Sequence, residues 1–214
     1  MIQHILFDLG NVLVPVHRHL GFTRLIPHLP KDLAELCRQD QAAFQNLFSE
    51  PGMALETGSI EFHEFYRIMC DILRITVDEE QFRDVFCRIF SLDEEMVELG
   101  ERFSRRYGTW LVSNTSRVHY EYILSSFPRV NFYRDAALSF ELGVMKPAPE
   151  YYEKAVRKFG IQADTAVFID DLPENVDGAV ASGMNGIVFR NRQRLIDRLA
   201  ILGVTIPGLK EQLQ

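Results

Sequence analysis

The chain has 214 residues, of which 47% are hydrophobic and 25% are charged, and its formal net charge is −7, which is typical of an ordinary globular protein. The acidic balance disfavours a nucleic-acid-binding surface, and no apolar run reaches the roughly 18 residues that a membrane-spanning helix requires. Because the N-terminus lacks the features of a signal peptide and the three cysteines lack metal-ligand spacing, we expect a cytoplasmic protein with reduced thiols.

Residues 4–14, with the sequence HILFDLGNVLV, are predicted to contain a buried strand that ends on a carboxylate. A short apolar run ends on Asp8, a turn follows at Gly10 and Asn11, and apolar residues then resume. A run of this length between turn residues is typical of a strand covered on both faces of a parallel sheet. Functional residues collect at the carboxyl ends of such strands, so Asp8 is placed to act on a ligand. The alternative is that Asp8 only caps a turn.

Residues 17–90 show helical periodicity and no strand pattern. Their apolar side chains recur every three or four positions, as in amphipathic helices. The resulting stripes are Leu33, Leu36 and Cys37; Phe44, Leu47 and Phe48; Phe62, Phe65, Tyr66, Met69, Cys70 and Leu73; and Phe82, Val85, Phe86 and Ile89. Prolines and glycines, among them Pro51 and Gly52, separate the stripes. We therefore predict a domain of four short helices in residues 17–90, inserted after the first strand, with the aromatic side chains in its core.

Predicted helices and strands alternate from Ser91 onward. Ser91 and Glu94 form a capping-box pattern ahead of the first of these helices. Apolar runs predict four further strands, at residues 109–114, 135–139, 165–169 and 186–189. Residues 192–214 are predicted to form a surface helix with a short irregular end. This alternation predicts an α/β fold with a doubly wound parallel sheet, built from residues 1–16 and 91–214.

Polar side chains stand at the ends of three predicted strands. They are Asp8, Ser113 with Asn114, and Asp170 with Asp171. Strands that run in parallel bring such residues to one rim of the sheet. Three neighbouring carboxylates repel one another, and their uncompensated burial is costly. A hard divalent cation removes that cost, and Mg²⁺ suits the site because carboxylates and substrate phosphate commonly hold it together.

A lysine, Lys146, lies in a loop that leads into a predicted helix and adds a positive charge to this rim. Together with the Ser113 hydroxyl and backbone N–H groups, it can hold the remaining oxygens of a phosphate group. The alternatives are a solvated loop charge for Lys146 and ordinary turn formation for Ser113 and Asn114.

Four segments, in this order, resemble the motifs of the haloacid dehalogenase-like hydrolase superfamily. FDLGNVLV is similar to the first motif, LVSN to the second, GVMKPAPEYY to the third and FIDDLPENVDGA to the fourth. The resemblance implies that Asp8 is the nucleophile, Ser113 the phosphate-binding hydroxyl and Lys146 the cation. It also implies a Rossmannoid core, and the inserted helices are similar to the family's C1 cap, a helical lid over the active site.

What the resemblance implies for chemistry is a Mg²⁺-dependent phosphatase that forms an aspartyl phosphate on Asp8 from a small phosphorylated molecule. The metal ligands are then Asp8, the carbonyl group of Gly10 and Asp171. Asp170 is either a further ligand or a partner of the ligands. Ser113, the backbone of Asn114 and Lys146 hold the phosphoryl group. No nucleic acid or membrane takes part.

The wording of the motifs, with Asn175 after the acidic pair, is closest to two groups within the superfamily. They are the α-D-glucose-1-phosphate phosphatases and the N-terminal phosphatase domains of soluble epoxide hydrolases. This similarity favours a sugar phosphate, and a sugar 1-phosphate in particular. A metal-independent 2-haloacid dehalogenase is the alternative within the fold, but such enzymes usually lack the acidic pair Asp170 and Asp171.

Gly10 departs from the family pattern, because most phosphatases of the superfamily carry an aspartate there as general acid and base. The backbone of Gly10 still offers a metal ligand, but side-chain proton transfer is missing. Activity survives if the leaving group is good, as in a sugar 1-phosphate, or if water or a lid residue donates the proton. His119 is a candidate donor or a helix-surface histidine, and residues 56–58 are interpreted as a polar lid turn, which is a candidate for substrate contact. The rival hypothesis is a non-catalytic phosphate-binding protein.

Overall fold

Five parallel strands form one sheet at the centre of the protein in the computed structural model, which describes residues 1–208. The strands are β1 (His4–Phe7), β2 (Gly108–Ser113), β3 (Ala136–Leu138), β4 (Ala166–Asp170) and β5 (Asn185–Val188). Their order across the sheet is β3-β2-β1-β4-β5. Phe7 pairs with Leu111 of β2 and with Ile169 of β4, so the carboxyl ends of these three strands lie side by side. The predicted parallel α/β sheet is confirmed.

Both faces of the sheet are covered by apolar layers, as a doubly wound sheet requires. Alternate residues of the central strands point to opposite faces. Phe7, Leu111 and Ile169 belong to one core, and their chain neighbours Leu6, Val112 and Phe168 belong to the other. The near-continuous apolar runs of β2 and β4 are therefore buried along their full length.

Between β1 and β2, residues 18–87 fold into helices. The helices are α1 (Arg18–Leu25), α2 (Lys31–Gln39), α3 (Gln41–Asn46), α4 (Ser49–Glu56), α5 (Phe62–Leu73) and α6 (Glu79–Cys87). The prediction of four helices is wrong in number, because α1 and α4 were interpreted as connections. Pro51 is the third residue of α4, within the first turn, where a missing N–H group costs the helix nothing. The pair Pro51 and Gly52 therefore lies inside a helix rather than between two.

The helices α1–α6 enclose a hydrophobic core of their own, rich in aromatic rings. Within it, the ring centroids of Phe65 and Phe86 lie 4.9 Å apart and those of Phe22 and Phe44 lie 5.3 Å apart. We propose that these helices form the cap domain predicted at residues 17–90, and that residues 1–16 and 91–208 form the other domain. Residues 209–214 of the predicted core domain and tail lie outside the described residues.

The two connections between the helical segment and the sheet run side by side. Val16 and Phe90 form an antiparallel β-bridge. The backbone N–H of His17 donates to the carbonyl of Ile89 at 2.6 Å, and the N–H of Ser91 donates to the carbonyl of Pro15 at 3.1 Å. The chain therefore enters and leaves the helical segment at one place.

The remaining helices pack on the two faces of the sheet. They are α7 (Glu94–Ser104), α8 (Arg117–Ser126), α9 (Ser139–Leu142), α10 (Pro149–Phe159), α11 (Pro173–Ala181) and α12 (Arg192–Ile201). The N-cap of α7 is Asp93, whose side chain accepts a hydrogen bond from the N–H of Met96 at 3.0 Å. The predicted capping box at Ser91 is therefore wrong, because a better-placed acid stands nearer the helix. Within residues 1–208, no helix has both the length and the apolar character that crossing a membrane demands.

Candidate active site

The ammonium group of Lys146 lies between two carboxylates at the carboxyl edge of the sheet. Its Nζ donates to Asp8 Oδ1 and to Asp170 Oδ2, both at 2.7 Å, and to the carbonyl oxygen of Val112 at 3.0 Å. These contacts use the three protons of the ammonium group. All three charged side chains are buried. A buried charge triad of this kind is tolerated because each charge is paired and hydrogen-bonded.

The strand order and one side-chain clamp put Lys146 in this position. Asp8 follows β1 and Asp170 ends the neighbouring strand β4, so their carboxylates face a common point. The amide group of Asn114 binds the loop that carries the lysine: its Nδ2 donates to the carbonyl of Lys146, and its Oδ1 accepts from the N–H of Lys146, both at 2.9 Å. The side chain of Asn114 thus fixes the backbone of the loop at Lys146.

Asp170 is saturated with hydrogen bonds. Its Oδ1 accepts from the N–H of Leu172 at 2.9 Å, and both of its oxygens accept from Nδ2 of Asn175 at 3.1 Å. With the bond from Lys146, four hydrogen bonds reach the carboxylate, which offers about four acceptor sites. The geometry therefore suits Asp170 as a residue that orients Lys146 rather than as a direct metal ligand.

Asp171 differs from its neighbour Asp170 in that it is only half-buried. Its Oδ2 accepts a hydrogen bond from Nδ2 of Asn11 at 3.1 Å, the one side-chain bond it makes within residues 1–208. Asn11 adopts the left-handed conformation, with φ at 55°. Sequence reasoning treated Asn11 only as a turn residue; its place three residues after the strand carboxylate Asp8 was the available signal, since asparagine tolerates this conformation.

Oxygen atoms of Asp8, Asp170 and Asp171 lie within 4.8 Å of one another. When all three carboxylates are ionised, the single positive charge of Lys146 leaves two negative charges in the cluster uncompensated. Carboxylate oxygens at this spacing fit a hard divalent cation such as Mg²⁺. Gly10 lies beside these carboxylates, since a Cβ atom there would be 3.9 Å from Asp8 Oδ2, and its carbonyl oxygen accepts no hydrogen bond from any residue in the described part of the chain. Asp8, Gly10 and Asp171 are therefore the residues that could hold the ion.

Burial dominates the electrostatics of the charge triad. It raises the pKa of Asp8 to about 7, in the same direction as the negative charge of Asp170 and against the positive charge of Lys146. Burial alone would lower the pKa of Lys146, but the two carboxylates outweigh it and the pKa is raised. Lys146 is therefore charged at neutral pH. A bound cation would favour the ionised form of Asp8 in the same way that any nearby positive charge does.

A cavity of about 290 Å³ lies above these groups, and we call it the strand-end cavity. The predicted site residues that line it are Asp8, Gly10, Ser113, Asn114, Lys146 and Asp171. Asp170 alone among the predicted residues is fully buried beneath it. The hydroxyl group of Ser113 makes only a long 3.5 Å contact with the carbonyl oxygen of Asn114, so it is available to a ligand. The structure thus brings all the predicted residues together.

His119 does not suit the role of proton donor. Its ring stacks on Phe86 with centroids 4.2 Å apart, and its Nε2 lies 3.1 Å from the carbonyl oxygen of Phe86. Because a carbonyl oxygen only accepts, Nε2 carries the proton and donates it there. Burial lowers the pKa of His119 to about 4, so the ring is neutral at physiological pH. The hypothesis of a donor at His119 is wrong, since its one N–H group is already used.

Glu56 lies in the site, although its sequence position was interpreted as part of a polar turn. It is the last residue of α4 and lines the strand-end cavity. Within residues 1–208 its carboxylate accepts no hydrogen bond. Burial raises the pKa of Glu56, although the positive charges of Arg18 and Lys146 act in the opposite direction. Sequence reasoning gave Glu56 no catalytic role, because only the folding of α4 over the sheet brings it there.

Comparison with known proteins finds similar sequences among enzymes that are named as a hydrolase and as a phosphatase. Flavin mononucleotide hydrolase 1 of Arabidopsis thaliana is 39% identical over 64 residues, which cover 30% of this chain and 26% of that protein, so the match spans about a quarter of its length. D-ribitol-5-phosphate phosphatase of Bacteroides thetaiotaomicron is 24% identical over 184 residues, which cover 82% of this chain and 86% of that protein.

Solved structures show the same fold. A HAD family enzyme of Bacteroides thetaiotaomicron, crystallised with magnesium and inorganic phosphate, superposes with a TM-score of 0.78 at 21% identity, over 91% of this chain and 99% of that chain. The sequence model of the haloacid dehalogenase-like hydrolases matches residues 2–183, a stretch that contains every residue of the site described above. The resemblance of the four motifs is thereby confirmed, and the chain belongs to the haloacid dehalogenase-like hydrolase family.

Proposed function

We propose that the protein is a magnesium-dependent phosphatase that hydrolyses a small phosphate monoester, with Asp8 as the nucleophile. The observation that carries the proposal is the strand-end cavity, where a carboxylate held by a lysine faces a free hydroxyl and a second carboxylate suited to a metal. Relatives named as a flavin mononucleotide hydrolase and a D-ribitol-5-phosphate phosphatase support the same reaction class.

The reaction has two steps. An oxygen of Asp8 attacks phosphorus, the bond from phosphorus to the alcohol oxygen breaks, and the alcohol leaves with a proton. Water then attacks phosphorus of the aspartyl phosphate, which frees Asp8 and releases inorganic phosphate. Lys146 fixes Asp8 through its 2.7 Å bond and neutralises charge on the phosphoryl group, while Ser113 and the N–H of Asn114 donate to its oxygens.

Asp8, the carbonyl group of Gly10 and Asp171 would hold Mg²⁺ in this site. When bound, the ion offsets negative charge on the phosphoryl oxygens as the reaction proceeds. Asp170 serves instead to position Lys146, because its oxygens are already filled by hydrogen bonds. The acidic pair thus divides into one ligand and one positioning residue.

The proton for the leaving alcohol comes from Glu56, which takes over the task of the aspartate that Gly10 replaces. Three observations support this assignment. Glu56 lines the strand-end cavity, it accepts no hydrogen bond within residues 1–208, and burial raises its pKa, which favours the protonated acid that donation requires. With Glu56 in place, the substrate need not have an unusually good leaving group, so a sugar phosphate of either kind stays within the proposal.

Replacing Glu56 by glutamine should lower kcat/KM for an alkyl phosphate about 100-fold or more, the effect of removing a general acid. For p-nitrophenyl phosphate the loss should be far smaller, because nitrophenolate leaves without a proton. Initial rates of phosphate release from the two esters measure the difference. Glu50→Gln, an exposed change on the same helix, is the matched control.

A second variant tests the same assignment by rescue. A Cβ atom at position 10 would lie 3.5 Å from Val16 Cγ2 and 3.9 Å from Asp8 Oδ2, so an aspartate fits beside the nucleophile. Gly10→Asp in the Glu56→Gln background should restore part of the alkyl phosphate activity. Equal losses on both esters, with no rescue, would show that Glu56 only supports the structure.

The reaction class itself is tested by phosphate release from glucose 1-phosphate, glucose 6-phosphate, D-ribitol 5-phosphate and flavin mononucleotide, with Mg²⁺ and after chelation. We expect release that disappears on chelation and returns with Mg²⁺, because three carboxylates meet within 4.8 Å of one another at the nucleophile. Halide release from 2-haloacids without metal would favour the dehalogenase instead. Phosphate binding without turnover of any ester would favour the non-catalytic binding protein.

A further inference from the structure

A second and larger cavity, of about 530 Å³, lies beside the strand-end cavity and is lined by the helical segment together with Ile89, His119, Met145 and Lys146. The residues that line both cavities are Arg18, Glu56, Ile89, His119 and Lys146. A molecule whose phosphate lies next to Lys146 therefore has this second cavity within reach of its remaining atoms. We call it the aromatic chamber, after the phenylalanines of its wall.

The wall of the aromatic chamber is apolar. Its rings are those of Phe22, Phe48, Phe65, Phe82 and Phe86, and aliphatic side chains fill the gaps between them. Its charged groups are the ones shared with the strand-end cavity, and beyond them only Gln45 and Ser49 offer polar side chains. A bare sugar or polyol placed here would give up hydrogen bonds to water and find few in return. An apolar group would gain from the same transfer.

The volume of the chamber is in the range of cavities that bind small organic molecules. A glycine on α4 keeps part of the space open: a Cβ atom on Gly52 would meet no heavy atom within 4 Å. Gly21, by contrast, is needed for packing, because its Cβ atom would lie 3.0 Å from Ile89 Cγ2. Gly52 lines the chamber, so a side chain introduced at this position has open space to occupy.

We propose that the aromatic chamber binds an apolar or aromatic part of the leaving group, so that the substrate is a phosphate monoester of an alcohol with a substantial hydrophobic body. This proposal rests on the proposed phosphatase function and deepens it. The phosphate lies at Lys146, the ester oxygen near Glu56, and the hydrophobic body among the phenylalanine rings. A phosphorylated polyol that carries an aromatic ring meets this description, and a small free sugar phosphate fills only the first part of the site.

The test is the series ethyl, butyl, hexyl and octyl phosphate, assayed with Mg²⁺ for phosphate release. Because the acidity of the leaving alcohol is nearly constant along the series, changes in kcat/KM report binding of the chain. We expect kcat/KM to rise by up to about fourfold per methylene until the chamber is full, as expected for complete burial of a methylene group.

Gly52→Phe, and the smaller Gly52→Leu, fill the chamber from a position that has room for a side chain. In both variants the rise along the series should flatten, with octyl phosphate losing most. Glu50→Phe puts the same bulk on the exposed side of α4 and should leave the series as it is. Thermal unfolding of each variant verifies that the fold is retained.

Different outcomes would contradict the chamber and the phosphatase activity. If the enzyme hydrolyses ethyl phosphate or p-nitrophenyl phosphate but shows no dependence on chain length, the chamber proposal is overturned and the phosphatase stands. If none of the esters is hydrolysed, the phosphatase proposal is contradicted, and so is the chamber proposal that rests on it. A chain-length dependence that survives in both Gly52 variants would place the hydrophobic body elsewhere.

Discussion

Asp8→Asn should abolish phosphate release, with a loss in kcat of about 10⁴- to 10⁶-fold, the range expected when a covalent nucleophile is removed. Asparagine has the shape of aspartate and keeps an oxygen for the hydrogen bond from Lys146, but its amide is a poor nucleophile and forms no stable acyl phosphate. The fold should survive, because Lys146 retains Asp170 as its ionic partner. Steady-state phosphate release and thermal unfolding measure the two properties separately.

Asp71→Asn, an exposed change on α5, is the control for loss of one negative charge and should retain full activity. Rapid acid quench of the unaltered protein with substrate, followed by mass analysis of peptides, should show phosphate on Asp8 alone. An Asp8→Asn variant that keeps more than a few per cent of the activity in a preparation free of contaminating phosphatase would exclude Asp8 as the nucleophile.

Lys146→Met should remove activity and also destabilise the protein, by about 3–5 kcal/mol, because it breaks a buried ionic network on one side only. Asp8 and Asp170 would then face each other without a compensating charge. Methionine fills similar space, so the loss reports charge rather than packing. The free energy of unfolding from urea titration without Mg²⁺ is the measurement.

The pH dependence gives this prediction its sign. In the variant, Asp8 loses the positive charge that opposes the effects of burial and of Asp170 on its pKa. Its carboxyl group therefore stays protonated to higher pH in the folded state than in the unfolded state. Folding then takes up a proton, so the variant is most stable at low pH and loses stability as the pH rises through the raised pKa. Asp170→Asn added to Lys146→Met should recover part of the loss, since it removes the like-charge repulsion.

Lys154→Met on α10 is the matched control. Its Nζ binds the carbonyl of Leu142 and the carboxylate of Glu150 at the surface, where such contacts are worth about 1 kcal/mol or less. A Lys146→Met variant no less stable than this control would mean that the charge triad contributes nothing to the fold, and the assignment of Asp170 as its positioning partner would then lack support.

Much of the fold follows from hydrophobic pattern alone. Strands buried on both faces consist of uninterrupted apolar residues, so β2 and β4 were predicted close to their observed bounds. The proximity of the strand-end residues could be predicted as well. Asp8 and Asp170 lie at the carboxyl ends of adjacent parallel strands, and these ends meet at one edge of the sheet. Lys146 was placed at this rim by its loop ahead of a predicted helix, and its role came from the resemblance of that loop to the third motif.

The elements that were missed have weak local signals. α1 has few apolar residues, and α4 carries a proline and a glycine that normally indicate a break. The approach of Glu56 to the site and the aromatic chamber both depend on how α4 lies over the sheet. Contacts of this kind are set by packing between segments distant in the chain, which no local pattern records.

The paired connections at Val16 and Phe90 make the helical segment an exchangeable unit. Because its two ends meet across a hydrogen-bonded bridge, the gap that a deletion or replacement must close is only as wide as the spacing of two paired strands. The pairing of β1 with β2 and with β4 involves no residue of the helical segment. Evolution can therefore lengthen, shorten or replace the insertion, and with it the acid at Glu56 and the walls of the aromatic chamber, without disturbing the residues at the carboxyl edge of the sheet.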